Sequence, residues 1–570
     1  MTCRSIFFFF SLVVLMNLVC LRMFSSWVLL FLVAATVPPS VQANDKPLKK
    51  RAVKPVLNYT AESLETCSDC WVQIKFKEGW DVKIGDQANA GKSIFVETAK
   101  QDLTGINELI GDAVEMKRTF SGDRERFRQY KRIGELKTGI EAPDLGLWFD
   151  VRFPADRREV AEKLNACNKL DPIEIAIPVP AVSQATFSPG TIPSTTPDFT
   201  KQQGYLYDTP LGLNAPAAWA LPGGRGDGVK FIDVELGWSR DHEDFDQSKF
   251  FFNGHAGAGN EVFNEYFFNH GTAVLGEVVG MDNDFGVVGF ASDALWGTVA
   301  YSAFGAFPNV AEFFLEAAEA LDPGDVWLIE IQMQPPGADF TPMEYLQVNF
   351  DAIWISSFVL DVICVEAGAN GGQNLDGAFF EGRFDRNVRD SGAILVAAGR
   401  PDSLTSEDFS NYGSRVDAHA WGSSIVTTGY GTLQNSPGVN SDYASGFGGT
   451  SGASPMIVGA CLCLQGIHKA RSGGQIITPI EMRNLISSTG TPHQDTSREI
   501  GPRPDIAAAI SALPVLLGDC DLNGVVNSQD ISPFITVLIT GIYLEQADCD
   551  LSGVVDFLDI RPFIQILLAQ

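Results

Sequence analysis

"FGGTSGASPMIVGACLCLQGIHKA" (residues 447–470) places a block of small and polar residues directly before an apolar run of helical character. Such a block is poor core material. Small side chains bury little area, and glycine loses the most chain entropy on folding. Either it is a loop that happens to precede a helix, or it presents Ser451 at a helix N-terminus for chemistry.

The flanking chain favours the second reading. Between about 205 and 512, short apolar strands alternate with helical stretches: "GVKFIDVE" (228–235), "HGTAVLGEVVG" (270–280), "DVWLIEIQ" (325–332), "VICVEAG" (362–368) and "GAILVAAG" (392–399). That alternation predicts a parallel sheet with helices on both faces. In open sheets of this class, ligands sit beyond the carboxyl ends of the strands. There the sequence puts Asp233 after "VKFI", His270 before a helix of small residues, Asn370 among glycines after "VICVEAGA", and Ser451 at another helix start.

Together these form a coherent chemical set. A serine nucleophile needs a base, which suits His270. The base needs a carboxylate to fix its tautomer and stabilise the imidazolium, which suits Asp233. The developing oxyanion needs donors, which the Asn370 amide and the Ser451 N–H supply. Taken singly, each residue has a plainer reading: a strand-end cap, a helix cap, a turn residue and an N-cap.

With these residues in order, the chain resembles the subtilases, the subtilisin-like serine peptidases. "IDVELGWSRDHEDF", "HGTAVLGEVVG" with "NDFGVVGFASDA", and "GTSGASPMIVGA" look like their three signature blocks, and "DFSNYGSRVDAHAWGSSIVTTG" looks like the segment before the serine block. The resemblance implies a secreted endopeptidase with Asp233, His270 and Ser451 as triad and Asn370 as oxyanion donor. Four departures stand out. Glu235 and Leu236 replace a small hydroxyl residue and glycine, Ala273 a histidine and Ala369 a glycine, while "LIEIQMQPPG" replaces the usual serine-leucine-glycine edge. A sedolisin-type site also uses a "GTS" block, but its base is glutamate, and the intact "HGT" argues against it. The alternative from another class is a catalytically silent subtilase fold that binds or scaffolds.

Charge divides the chain. Residues 44–170 carry 23 Lys/Arg against 21 Asp/Glu, whereas 201–570 carry 16 against 46. The acidic part is unsuited to nucleic acid. The subtilase resemblance makes 44–190 a prosegment, whose near-neutral charge complements the acidic enzyme; an independent binding domain is the alternative. Residues 191–204 form a linker, 205–512 the catalytic domain. The first 43 residues hold two apolar runs, with Arg22 before the second and "VQA" at its end. They predict a signal peptide cut near Ala43, hence a secreted or extracytoplasmic protein; a retained anchor is the rival reading. No later stretch appears apolar enough for a membrane span. "CSDC" (67–70) has zinc-like spacing but no second pair nearby, and cysteine pairing is open.

"DCDLNGVVNSQD" (519–530) and "DCDLSGVVDFLD" (548–559) are repeats of one twelve-residue loop. Oxygen ligands at positions 1, 3, 5, 9 and 12, a backbone carbonyl at 7 and glycine at 6 fit calcium. The ligands would be Asp519, Asp521, Asn523, Val525, Asn527 and Asp530, then Asp548, Asp550, Ser552, Val554, Asp556 and Asp559. Each loop leads into a helix with apolar residues at i, i+3, i+4 and i+7 (Ile531, Phe534, Ile535, Leu538; Ile560, Phe563, Ile564, Leu567). Aspartate at position 12 resembles dockerin modules. That implies a paired EF-hand-like unit over 515–570 and a cohesin-like docking partner; a calcium-stapled stability module is the plainer reading. No cofactor is needed for the chemistry itself.

Overall fold

The computed structural model describes residues 47–53, 58–64, 67–86, 93–97, 102–154, 156–180, 182–183, 196–254, 265–300, 310–435, 438–521 and 525–568. The signal-peptide reading of 1–43 and the first five linker residues, 191–195, lie outside them, as do the "CSDC" side chains and Asn523.

The first unit is α+β. Strands β1 (Cys67–Phe76), β4 (Glu115–Arg118), β5 (Trp148–Arg152) and β6 (Ile173–Pro180) form an antiparallel sheet in the order β4-β5-β1-β6. A separate hairpin, β2 (Val82–Asp86) with β3 (Ser93–Glu97), lies beside it in sequence. One sheet face buries Ile74, Phe76 and Phe149 with Val160 and Leu164 of the Arg157–Cys167 helix. That helix starts where the Asp156 carboxylate accepts from Glu159 N at 3.0 Å, a side-chain cap.

The other face packs on the second unit. Trp148, Ile175 and Ile177 join one apolar cluster with Phe350, Ile353 and Trp354 of the Gln347–Phe358 helix. A buried ion network crosses here. Arg51 pairs with Asp351 at 2.6 Å and Glu174 at 2.8 Å, Lys75 with Glu78 at 2.6 Å and Glu174 at 2.7 Å, and Trp148 Nε1 donates to Asp351 at 3.1 Å. Gly134 is needed for the close approach, since a Cβ there would lie 2.6 Å from the Trp354 ring.

The second unit holds the predicted parallel sheet. After the two-residue β7 (Val182–Ser183) come β8 (Lys230–Glu235), β9 (Phe250–Gly254), β10 (Leu295–Ala300), β11 (Val326–Ile329), β12 (Gln332–Met333), β13 (Ile363–Ala367), β14 (Ile394–Gly399) and β15 (Ala418–Trp421). Seven of them run parallel in the order β15-β14-β13-β11-β8-β10-β9. Side chains alternate between two cores, as a period of two requires. Phe231, Leu328 and Val365 face the helices Glu265–Val279 and Thr450–Arg471, while Ile232, Trp327 and Cys364 face Val310–Glu319 and Gln347–Phe358.

The Thr450–Arg471 helix is long and apolar enough to cross a membrane, contrary to the sequence expectation. Its apolar window is entirely buried against the sheet, so its hydropathy is that of a core helix.

Residues 515–568 carry the two repeat loops and the helices Ile531–Thr540 and Ile560–Leu568. Phe534 stacks on Phe563 with ring centroids 4.0 Å apart, worth about 0.5–1.5 kcal/mol beyond the area it buries. The predicted apolar faces are only half inward. Phe534 and Phe563 are buried, but Ile531, Ile535 and Ile564 are exposed, because each helix has one partner helix and not a core around it. Cys520 and Cys549 are buried free thiols.

Candidate active site

β8 ends in Glu235, and its alternation sends Asp233 and Glu235 to the same face. Both are fully buried. They have different partners. Both Glu235 carboxylate oxygens lie on His270 Nδ1, at 2.8 and 2.9 Å. Asp233 instead accepts from Trp238 Nε1 at 2.7 Å, and its other oxygen has no hydrogen-bond partner. The expected Asp233–His270 pair is therefore corrected to Glu235–His270. Burial, and Glu235 beside it, push the Asp233 carboxyl well above the usual range. Asp233 is thus a second buried carboxyl under the site, hydrogen-bonded to Trp238 and not to His270.

The signal for this register was present. Read from Asp233, the block has Glu235 and Leu236 where a small hydroxyl residue and a glycine are expected; read from Glu235, it has Gly237 two residues on. The chain at Gly237 runs close to the histidine turn. A Cβ on Gly271 would lie 2.5 Å from the Gly237 carbonyl oxygen and from Trp238.

His270 sits in the Glu265–Val279 helix with its ring edge-on to Phe447, centroids 5.5 Å apart. Burial lowers its pKa to about 4, so the ring is neutral at pH 7. Nδ1 is held by Glu235, which leaves Nε2 as the free acceptor. That nitrogen is buried and has no hydrogen-bond partner.

Ser451 is in the first turn of the Thr450–Arg471 helix, 6% exposed. Gly449 before the helix has φ +88, a left-handed conformation that glycine adopts without strain. The helix N-terminus directs unpaired N–H groups and a partial positive charge to this point. Asn370 follows β13 after Ala369, which stands at φ +67 where the sequence pattern expects glycine. The Asn370 Oδ1 accepts from Thr450 N at 2.9 Å and Thr450 Oγ1 at 3.1 Å. Its amide oxygen is thereby tied to the serine turn and its NH₂ is left to donate. Asn370 N donates to Gln332 Oε1 at 2.9 Å, tying the turn to β12.

The altered edge "LIEIQMQPPG" still works as a strand edge. β12 pairs antiparallel with β7, Gln332 opposite Ser183 and Met333 opposite Val182. An extended segment of the chain's first unit is thus added to the strand beside Asn370, the mode by which a sheet edge holds a peptide.

Two other histidines meet backbone carbonyls: His242 that of Asp442 at 2.9 Å and His419 that of Gly501 at 2.8 Å. Among the described residues, three sets could hold a cation. Asp519, Asp521 and Asp530 converge within 4.8 Å, as do Asp548, Asp550 and Asp559. Glu235, His270 and Glu330 also converge, but Nδ1 and both Glu235 oxygens are already committed to each other.

No family model matches the chain. Over 271 residues, 47% of this chain and 86% of the relative, it is 24% identical to subtilisin DY of Bacillus licheniformis. This chain is similar to a subtilisin. Among solved structures, a protease of Pseudoalteromonas arctica PAMC 21717 shares 23% identity at TM-score 0.40, covering 56% of this chain and 99% of its own. A cold-adapted subtilisin-like serine proteinase shares 19% at TM-score 0.36, over 50% and 90%. The MycP3 protease of the type VII (ESX-3) secretion system shares 16% at TM-score 0.41, over 58% and 93%. The subtilisin-like unit holds Glu235, His270, Asn370 and Ser451 on the carboxyl side of its parallel sheet.

Proposed function

We propose that the chain is a secreted subtilisin-like serine endopeptidase acting through Ser451, His270 and Glu235, with Asn370 as oxyanion donor. The observation that carries the reading is the doubly bonded Glu235–His270 Nδ1 contact beside the serine helix start. Substrates would be proteins or peptides laid along β12. His270 Nε2 takes the proton as Ser451 Oγ attacks the peptide carbonyl. Glu235 stabilises the imidazolium that forms, and a glutamate reaches Nδ1 from the strand end as an aspartate would. The oxyanion is met by the Asn370 NH₂ and the Ser451 N–H. The imidazolium then protonates the leaving amine, and water resolves the acyl-enzyme by the reverse steps.

Asn370→Ala tests the oxyanion assignment. Turnover on a chromogenic peptide should fall by roughly 10²–10³ with KM nearly unchanged. A collapse of affinity with turnover preserved would make Asn370 a substrate-binding or structural residue.

Residues 44–190 are read as an inhibitory prosegment. β7 occupies the β12 edge as a product strand would, and the segment that follows it reaches the linker.

The two C-terminal loops fit calcium. In each, the position-12 carboxylate already accepts two loop N–H groups: Asp530 from Asp521 and Asn527, and Asp559 from Asp550 and Asp556, at 2.8–3.0 Å. Three carboxylates of each loop converge within 4.8 Å, the donor set of a hard cation. Calcium bound there would supply the charge that holds each loop closed. Equilibrium dialysis of the full chain should find two calcium ions per molecule. Asp530→Ala and Asp559→Ala should each lower that by one, and an unchanged stoichiometry would remove the assignment. The exposed Ile531, Ile535 and Ile539, with Phe557 and Leu558, give this dockerin-like module an apolar surface suited to a cohesin-like partner.

A further inference from the structure

We propose that Glu330 is a positioning residue of this site, held as a neutral carboxylic acid that donates its proton to Ser454 and so fixes the turn carrying Ser451. The proposal deepens the protease reading and rests on it for its kinetic arm.

Glu330 follows β11, whose register puts Ile329 beside Val234 of β8, so Glu330 comes level with Glu235 on the site face. Its side chain reaches the first turn of the serine helix. Ser454 Oγ is hydrogen-bonded both to Glu330 Oε1 and to the Thr450 carbonyl oxygen, the latter at 2.8 Å. A hydroxyl has one proton. A carbonyl oxygen only accepts, so for both contacts to be hydrogen bonds the Ser454 proton must go to Thr450. The contact with Oε1 is then satisfied only if the carboxyl carries the proton and donates to Ser454 Oγ. Thr450 in turn bonds Asn370, so one chain of contacts runs from Glu330 through Ser454 and Thr450 to the oxyanion donor.

The surroundings agree. Glu330 is 2% exposed. Glu235 and Asp233 on β8, Glu277 and His270 on the Glu265–Val279 helix, and Ser451 on the serine helix face it. Among the described residues no Lys or Arg is hydrogen-bonded to Asp233, Glu277 or Glu330. Burial and the neighbouring carboxyls push the acids of Glu330, Glu277 and Asp233 well above the usual range. Of these carboxyls it is Glu235 that meets His270 Nδ1. A second negative charge at Glu330 would oppose the oxyanion and compete for the imidazolium.

Glu330→Gln keeps the shape and a donor for Ser454. We expect kcat/KM within about threefold of wild type at pH 7, and loss of the alkaline fall that wild type shows as Glu330 gives up its proton. Glu330→Ala, lacking the donor, should lose about 10- to 100-fold in kcat with a smaller change in KM. A second readout is independent of activity. An acid whose folded pKa is raised lowers stability as pH rises above its unfolded value of 4.5. The thermal midpoint of the full chain with Glu330→Gln should therefore match wild type below about pH 4.5 and exceed it increasingly toward pH 7. A midpoint difference that is flat or reversed with pH, or a Gln variant as impaired as Ala, would overturn the proposal. If wild type is inactive altogether, the protease reading fails while the thermal arm still decides the state of Glu330.

Discussion

Ser451→Ala should lower peptide hydrolysis about a million-fold while leaving the fold intact. The side chain is small and sits in the first turn of a helix whose apolar residues pack elsewhere, so one lost hydroxyl removes little buried area. What is lost is the atom that forms the acyl-enzyme. The same variant should stay a long precursor in a purified refolding reaction, whereas wild type acquires a new N-terminus between about 183 and 205. β7 brings the chain to the β12 edge just before that segment, and an enzyme that cuts its own linker needs its nucleophile. Activity within tenfold of wild type, or equal cutting of both proteins, would contradict these expectations.

Glu235→Gln should cost about 10⁴ in kcat, and Asp233→Asn less than tenfold. The glutamine amide would donate to Nδ1 where the carboxylate now accepts. That places the imidazole proton on Nε2, and His270 can no longer take the serine proton. An Asn at 233 keeps an oxygen for Trp238 Nε1 and removes no contact to His270. The kinetics of the two variants on one peptide decide the register. The reverse ranking would restore Asp233 as the orienting carboxylate.

The parallel sheet was legible in the sequence, for physical reasons. Parallel strands buried on both faces read as continuous apolar runs, and a polar residue at the end of each run stands out against them. Asn370 and Ser451 stand out in this way and meet through Thr450. The carboxylate did not. Strand alternation puts Asp233 and Glu235 on one face, so period alone cannot choose between them; only the glycine at 237 marks the register. Glu330 was hidden for a related reason. It looked like part of an unusual substrate edge, and its meaning depends on β11 lying beside β8, which no local pattern reveals. In the C-terminal repeat the helical period was legible but not its burial. Ile531 and Ile535 share a stripe with Phe534 and Leu538, yet they are exposed while Phe534 and the neighbouring Val537 are buried.

Ser451, as proposed above, is an activated nucleophile. A fluorophosphonate probe added to the full chain after refolding, followed by peptide mapping, tests this most directly. One phosphonyl group on Ser451 is expected, absent from Ser451→Ala and strongly slowed in Glu235→Gln. A refolded, prosegment-cleaved chain that takes no label at Ser451 would contradict the account and leave a silent subtilisin-like fold that binds but does not cut.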